Sequence, residues 1–232
     1  MMSRCLDLDV GNTRTKWRVG RSRGWLISPN LPLVSGRIDR VRVSNVAIGM
    51  ELFEHKVLEA YGVKPEFAKT TAMTAGVRCG YLDPTELGVD RWLAILAAWN
   101  KVKLNCVVIG AGTALTVDFV TRDGNHIGGY IVPGLTAMGR SLNDETSGIN
   151  VRFDSTDDLS PAAETTGAVN RGILLMTTSF ISSCTSWLQA QSPGEFRIFI
   201  TGGNAEVIAS HIDCTTVIDP ELVLDGLNLA LP

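Results

Sequence analysis

The chain has 232 residues, of which 45% are apolar and 19% charged, with 21 Lys and Arg against 24 Asp and Glu for a net charge of −3. This composition supports a folded core and excludes a disordered chain, while the slight acidic excess argues against a protein that binds nucleic acid backbones. No apolar run reaches the roughly 18 residues of a membrane span, and Asp7 and Asp9 interrupt the N-terminal stretch that a signal peptide would need. The five cysteines are odd in number and form no CxxC pair, so we expect reduced, mostly buried thiols in a cytoplasmic protein.

The first half of the sequence predicts a hairpin followed by further strands and helices. Residues 5–9 form a short apolar strand with two carboxylates, Gly11-Asn12-Thr13 a tight turn, and residues 16–19 an alternating second strand. The other elements predicted here are strands at 25–27 and 41–48, a helix at 51–61 that ends at Gly62, and a helix at 92–99 that begins at or near Asp90.

The same pattern returns in the second half. Residues 106–109 predict a buried strand, Gly110-Ala111-Gly112-Thr113 a turn, and residues 115–120 an alternating strand. Aligning Asp9-Val10-Gly11-Asn12-Thr13 with Gly110-Ala111-Gly112-Thr113-Ala114 indicates a weak internal duplication, with one α/β unit in each half. The remaining predicted elements are a hairpin turn at Asp123-Gly124, a strand at 127–132, a helix at 164–191 and a strand at 196–200 that leads into Thr201-Gly202-Gly203-Asn204.

Three glycine turns, each directly after a buried strand, are candidate binding sites. Glycine lets a backbone approach an anion, and N–H groups together with Asn12 and Thr13 can bind phosphate oxygens. Asp9 can hold Mg²⁺ directly or through water, although a Gly-Asn turn capped by an aspartate explains the same residues equally well. The second turn does not match the GxGxxG motif of dinucleotide-binding proteins, because Leu115 replaces the third glycine and a strand follows where the motif has a helix. No Walker A sequence is present. At the third turn, Thr201-Gly202-Gly203-Asn204, the backbone could approach a flat ligand such as a nucleobase.

Asp90 and Arg91 are a second group of candidates. A helix N-terminus favours a charged carboxylate at Asp90, but aspartate is also a preferred capping residue. Arg91 could pair with a carboxylate ligand or form an ordinary surface salt bridge. The residues for which we expect structural roles are His55, His126, His211, Trp92 and Trp99.

In their order and spacing, these motifs resemble the type III pantothenate kinases, also called the Bvg accessory factor family, of the acetate and sugar kinase/Hsc70/actin superfamily. The motifs that carry the likeness are Asp9-Val10-Gly11-Asn12-Thr13 with Lys16, Tyr81-Leu82-Asp83, Gly88-Val89-Asp90-Arg91-Trp92, Gly112-Thr113-Ala114 with Thr116 and Asp118, Gly128-Gly129-Tyr130-Ile131 with Pro133-Gly134, and Thr201-Gly202-Gly203. The resemblance covers nearly the whole chain. It implies an α/β fold of duplicated ribonuclease H-like (actin-like ATPase) domains, residues 1–105 and 106–232, with an interdomain active-site cleft.

The activity that the resemblance implies is transfer of the γ-phosphoryl group of ATP to the primary hydroxyl of pantothenate, the first step of coenzyme A biosynthesis. Asp90 would then be the catalytic general base and Asp9 the ligand of Mg²⁺, in a homodimer that requires K⁺ or NH₄⁺. The residues implied in ATP binding are Asp9, Val10, Gly11, Asn12, Thr13, Arg14, Thr15, Lys16 and Thr113. Those implied in substrate binding are Tyr81, Gly88, Val89, Asp90, Arg91 and Thr165, with Thr166 as the alternative to Thr165.

One position departs from the family pattern. The family typically has an aspartate before the second motif, and that carboxylate is associated with the monovalent cation. This chain has Gly110 there, the residue that the internal alignment pairs with Asp9. Because the loss of a hard oxygen ligand weakens cation binding, the cation requirement is expected to be reduced or lost.

Two alternative functions remain open at this stage. The first is a catalytically weakened, kinase-like regulatory protein, an alternative supported by Gly110 in place of the family's aspartate. The second is a kinase of the same superfamily that acts on another alcohol or sugar. No basic patch or helix-turn-helix pattern supports DNA binding, so we expect neither a nucleic acid nor a membrane as a partner.

Overall fold

The computed structural model describes residues 4–212 and 214–232. The chain divides into two compact units, Met1–Lys101 with Glu221–Pro232, and Val102–Pro220. The strands are β1 Cys5–Val10, β2 Arg14–Val19, β3 Ser22–Ile27, β4 Arg40–Asn45, β5 Glu66–Phe67, β6 Met73–Thr74, β7 Val77–Arg78, β8 Asn105–Ala111, β9 Ala114–Val120, β10 His126–Pro133, β11 Phe196–Thr201 and β12 Thr216–Ile218. The helices are α1 Met50–Tyr61, α2 Val89–Val102, α3 Leu135–Glu145, α4 Thr165–Gln191, α5 Ala205–Ala209 and α6 Leu222–Ala230, with a 3₁₀ turn at Pro84–Glu86. Of the helices in the described residues, none combines the length and the apolar character that a bilayer span requires.

The first unit is built on a mixed sheet with the strand order β3-β2-β1-β4-β5. Successive side chains of a strand point to opposite faces, and β1 alternates accordingly. Leu6, Leu8 and Val10 are fully buried in a core with residues of α1, whereas Asp7 and Asp9 lie on the other face. The sheet therefore has one apolar face covered by a helix and one face that carries carboxylates.

Helix α6 is fixed to the polar face of this sheet by a buried ionic network. Asp7 accepts hydrogen bonds from Nε of Arg42 at 2.8 Å and from Nη2 of Arg18 at 3.2 Å. Arg18 also donates to Asp225 of α6 at 2.6 Å, and Arg42 donates to the carbonyl oxygen of Leu231 at 2.9 Å. Buried charges are tolerated only when they are paired in this way, so the last helix folds with the first unit.

The second unit repeats the topology of the first. Its sheet has the order β10-β9-β8-β11-β12. The pairs β8–β9 and β9–β10 are antiparallel, while β8–β11 and β11–β12 are parallel. The first sheet shows the same directions: β1–β2 and β2–β3 are antiparallel, while β1–β4 and β4–β5 are parallel. The predicted internal duplication is thus confirmed in strand order and direction.

Several predicted element boundaries differ from the structure; for example, β3 begins at Ser22 and not at residue 25, and α2 ends at Val102 and not at residue 99. Strand β4 ends at Asn45 and does not continue to residue 48, because the Asn45 side chain accepts from the amides of Ala47 and Ile48 and closes a turn. Strand β8 continues through Ala111, which places Gly110 inside the strand and shortens the predicted turn.

All five cysteines are free thiols, as expected. Cys106 and Cys184 are buried, whereas Cys5 and Cys79 are partly exposed and Cys214 is exposed. Burial raises the pKa of Cys106 to about 12, so this thiol stays protonated. The expectation that the thiols are mostly buried is therefore wrong, because only two of the five are buried.

Candidate active site

A row of side chains crosses the polar face of the first sheet near the end of β1. Asp9 is the register partner of Ser44 on β4 and of Lys16 on β2, and Lys16 is the partner of Trp25 on β3. Register partners project from the same face of a sheet. Asp9, Lys16 and Trp25 therefore lie side by side, and we call these three residues with Ser44 the Asp9 row.

The predicted phosphate turn directly follows Asp9 and Val10. The amide of Gly11 donates to the carbonyl oxygen of Arg14 at 3.0 Å, which closes the turn, and Asn12 and Thr13 at its tip are exposed. Backbone and side-chain donors at the tip are thus accessible to an anionic ligand.

Val10 and Thr15 belong to the other face of the sheet. Both are fully buried, and they are register partners of each other. Their side chains lie with the apolar core and away from Asp9 and Lys16. Any contact of these two residues with a nucleotide would involve the backbone.

Asp9 and Asp90 interact electrostatically within the first unit. Burial raises the pKa of Asp9 to about 6; the positive charge of Lys16 opposes that rise, the negative charge of Asp90 adds to it, and the hydroxyl group of Ser44 lowers it again. The two carboxylates that the sequence singles out therefore lie close enough for the charge of one to affect the pKa of the other.

The start of α2 holds the residues predicted to bind substrate. A Cβ atom on Gly88 would lie 2.8 Å from Oδ1 of Asp90, so the carboxylate folds back over this glycine. Arg91 is 7% exposed, which does not fit a surface salt bridge. It donates from Nη1 to the hydroxyl oxygen of Tyr81 at 3.0 Å, and its guanidinium lies 5.7 Å from the Tyr81 ring centroid. Tyr81, Gly88, Asp90 and Arg91 thus form one cluster with Val89.

In the second unit, three backbone segments meet at the turn between β8 and β9. The amide of Gly134, just before α3, donates to the carbonyl oxygen of Thr113 at 2.9 Å, and a Cβ atom on Gly134 would collide with the carbonyl oxygen of Gly112. Gly202 has φ +110°, and a Cβ atom there would collide with the main chain of Ala111. The second and third glycine turns therefore pack together. The sequence identified Gly134 only as part of a family motif, and its packing against the β8–β9 turn required the structure.

Gly110 occupies the place in the second unit that Asp9 has in the first. Its register partners are Thr116 on β9 and Thr201 on β11. A Cβ atom on Gly110 would lie 2.5 Å from Oγ1 of Thr116, so the threonine side chain fills the space of the absent carboxylate. The hydroxyl group of Thr201 is buried and lacks a hydrogen-bond partner in the described part of the chain.

Two further predicted residues have clear structural surroundings. Asp118 bonds to Nε2 of the buried His126 at 3.0 Å, which confirms a structural histidine. Thr165 is the first residue of α4, where Glu164 caps the helix by accepting from the amide of Gly167 at 2.5 Å. Thr165 and Thr166 are both exposed, so the assignment between them stays open.

The donor set of the first unit fits a magnesium ion that arrives with a nucleotide. Within residues 4–212 and 214–232 no group of three or more His, Cys, Asp or Glu side chains could hold a metal ion on its own. Mg²⁺ in phosphoryl-transfer sites usually takes one or two carboxylates, with phosphate oxygens and water completing its shell. Asp9 offers a hard oxygen ligand. Because the charge of Asp90 repels that of Asp9, a bound cation would stabilise the ionised form of Asp9.

The fold is shared with solved structures of other proteins. A Campylobacter jejuni protein assigned to the Baf family of transcriptional activators has a similar structure, with a TM-score of 0.65 at 19% identity over 96% of this chain and 95% of that one. MreB 5 of Spiroplasma citri, solved with AMPPNP, has a TM-score of 0.50 at 13% identity over 98% and 96%. At these identities the likeness concerns the fold alone.

Sequence comparison gives the family. Residues 23–186 match the model of the type III pantothenate kinases. A type III pantothenate kinase from Ectopseudomonas mendocina is 36% identical over 98% of both chains, and one from Chromohalobacter salexigens is 34% identical over 98% of this chain and 87% of the relative. The chain belongs to the type III pantothenate kinase family.

Proposed function

We propose that the protein phosphorylates pantothenate at its primary hydroxyl group with ATP, giving 4'-phosphopantothenate. The observation that carries this proposal is that Asp9 lies within range of the negative charge of Asp90, next to a turn with accessible anion-binding groups, in a chain of this family. The regulatory alternative is not favoured, because the curated relatives named above are kinases.

The phosphate turn and its neighbours supply the groups that phosphoryl transfer needs. This reaction depends on positioning and on neutralising charge at the phosphoryl oxygens more than on covalent help. The turn amides, Asn12 and Thr13 suit phosphate oxygens, and Lys16 adds a positive charge on the same sheet face as Asp9. In the second unit, Thr113 is the corresponding exposed turn residue.

Asp9 would hold Mg²⁺ directly or through water. When bound with ATP, the ion neutralises charge on the phosphate groups. Lys16 offsets part of the repulsion between Asp9 and Asp90 and so helps to keep Asp9 ionised for this role.

Asp90 is the proposed general base. It would accept the proton of the substrate hydroxyl group late in the reaction, when the alcohol is already losing it, so an ordinary carboxylate suffices. Arg91, oriented by Tyr81 at 3.0 Å, has the planar donor geometry that recognises a carboxylate such as that of pantothenate. Gly88 and Val89 form the adjoining backbone. The family resemblance adds Thr165, or Thr166, as a substrate-binding residue.

A reduced dependence on a monovalent cation is part of the proposal. Gly110 offers no carboxylate where the family has one, and the Thr116 hydroxyl group fills the space. Hydroxyl and carbonyl oxygens remain available as weaker ligands for K⁺ or NH₄⁺.

A homodimer is the proposed assembly, in the cytoplasm. Apolar side chains are exposed along α4 and β10, and surfaces of this kind mark protein interfaces. The cytoplasmic location rests on the use of free cysteines, which is typical of reducing compartments.

An assay of ADP release with and without pantothenate tests the function. We expect ADP release to require pantothenate, and Asp90→Asn to lose roughly 10² to 10⁴ in turnover while folding normally. Glu86→Gln, a nearby exposed carboxylate, is the matched control and should retain activity. Turnover of Asp90→Asn close to the wild-type value would remove the base assignment. A preference for another alcohol or sugar in an acceptor screen would favour a different kinase of the superfamily.

A further inference from the structure

An exposed tryptophan stands at the outer end of the Asp9 row. Trp25 on the edge strand β3 is 56% exposed, and its register partner Lys16 is in turn the partner of Asp9. Single exposed apolar residues are ordinary, so exposure alone gives Trp25 no role. Its position on the face that carries Asp9 and Lys16 makes its contacts relevant to the site.

The ring of Trp25 is covered by the guanidinium group of Arg14. The Arg14 Cζ atom lies 4.3 Å from the ring centroid, within the range of about 6 Å for a cation–π contact. Arg14 is the first residue of β2 and directly follows the Gly11–Thr13 turn. Because Arg14 and Lys16 are two residues apart in a strand, they project from the same face. The stacked ring thus holds a cationic group beside the phosphate turn.

Arg14 differs in its partners from Arg18 and Arg42, which lie on the same sheet face. Arg18 and Arg42 are both ion-paired with Asp7, whereas Arg14 has no carboxylate partner among the described residues, and its contact is the aromatic ring. A guanidinium stacked on a ring keeps its N–H donors at the edge of its plane, where they can bind phosphate oxygens.

We infer that Trp25 is a positioning residue for ATP, whose ring holds the Arg14 guanidinium at the side of the phosphate turn so that it can contact the terminal phosphates. This inference rests on the proposed function. Trp25 itself touches neither the nucleotide nor the reacting atoms. Its contribution is therefore expected in nucleotide affinity and in the KM for ATP, with kcat unchanged at saturating ATP.

Calorimetric titration of MgATP into the wild-type chain and five variants tests the inference. Trp25→Leu keeps an apolar side chain without a π face, and we expect it to bind MgATP about threefold to thirtyfold more weakly. Trp25→Phe keeps a ring and should recover most of the affinity. Arg14→Leu should weaken binding at least as much, and adding Trp25→Leu to it should cause no further loss. Leu33→Ala, a fully exposed apolar residue of the same unit, should bind as the wild type does.

Two results would overturn the inference while leaving the proposed function intact. One is a Trp25→Leu protein that binds MgATP as tightly as the wild type. The other is a loss of MgATP affinity from Trp25→Leu that is as large in the Arg14→Leu protein as in the wild type, since Trp25 would then act without Arg14. A wild-type chain that binds no MgATP would instead defeat the proposed function and this inference together.

Discussion

Asp9 is a residue whose proposed task conflicts with the stability of the folded chain. Burial, with a contribution from Asp90, raises its pKa to about 6, above the ordinary aspartate value of about 3.9 that applies to the unfolded chain. Between these two values the folded state binds more protons than the unfolded state, so the contribution of Asp9 to stability falls as the pH rises through this range. At neutral pH the ionised carboxylate destabilises the fold.

Asp9→Asn is therefore expected to stabilise the protein while abolishing pantothenate phosphorylation. In the absence of Mg²⁺ and nucleotide, we expect the free energy of unfolding at pH 7.5 to increase by about 1 to 2 kcal/mol, which corresponds to a rise in Tm of about 2 to 6 °C. Both effects should shrink toward zero near pH 4. Thermal melts at both pH values measure it, with the exposed Asp157→Asn as control. A lower Tm than that of the wild type at both pH values would contradict this account of Asp9.

Gly110 allows the cation proposal to be tested by restoring a ligand. Gly110→Asp is expected to increase the stimulation of turnover by K⁺ or NH₄⁺, because a carboxylate is the stronger hard ligand. The new side chain requires Thr116 to rotate, since its Oγ1 atom would lie 2.5 Å from the added Cβ. Gly110→Asn has the same shape without the charge, and it should leave the cation response unchanged. An equal response in the wild type and Gly110→Asp would rule out this explanation of the departure from the family pattern.

At the scale of elements, helix α6 depends on a close backbone contact with α2. A Cβ atom on Gly226 would collide with the main chain of Leu93, which cannot move as a side chain can. We expect Gly226→Ala to lower the free energy of unfolding by about 1 to 3 kcal/mol, as measured by denaturant titration.

Gly172 of α4 provides the matched control for that substitution. It is also helical and exposed, and a Cβ atom there would meet nothing within 4 Å. Gly172→Ala should therefore stabilise the protein by about 0.5 to 1 kcal/mol through helix propensity. Equal effects of the two substitutions would contradict the packing of α6 on α2.

The elements that the sequence predicts are those whose signals are local. The hairpin around Gly11 and the one at Asp123-Gly124 are confirmed, because turn residues and strand alternation are read within about ten residues. The place of α6 could not be predicted, because it depends on Arg18, which pairs with Asp7 in the sheet and with Asp225 more than 200 residues away. Helix α3 was missed as well, although Gly134 at its start packs against the turn between β8 and β9.

At the scale of the whole molecule, the duplicated topology has diverged in chemistry. In the first unit the row contains Asp9 and Lys16, whereas the equivalent positions of the second unit contain Gly110 and Thr116. One copy thus retains a charged row and the other has hydroxyl groups and glycine backbones packed closely together. The internal alignment of the sequence identified Gly110 as the difference, but the role of Thr116 in filling its space depends on the strand register and required the structure.

The proposed homodimer is testable through an apolar surface of the second unit. Tyr130 on β10 and Phe180 on α4 have ring centroids 5.8 Å apart, and Met176 and Trp187 continue this surface along the same helix face at intervals of four and seven residues from Phe180. Met176 is 56% exposed, so a polar substitution there should not disturb the folded monomer. We call Tyr130, Met176, Phe180 and Trp187 the α4 patch.

Met176→Asp should convert a dimer into a monomer, because two copies of the introduced charge would be buried in the symmetric contact. Sedimentation velocity over a range of protein concentrations measures the assembly, and far-UV circular dichroism confirms that the variant is folded. Leu33→Asp, at a fully exposed position of the first unit, places the same charge away from the α4 patch and should leave the dimer intact. Dissociation by Leu33→Asp but not by Met176→Asp would place the interface on the first unit, and a wild-type chain that is monomeric at every concentration would exclude the dimer itself.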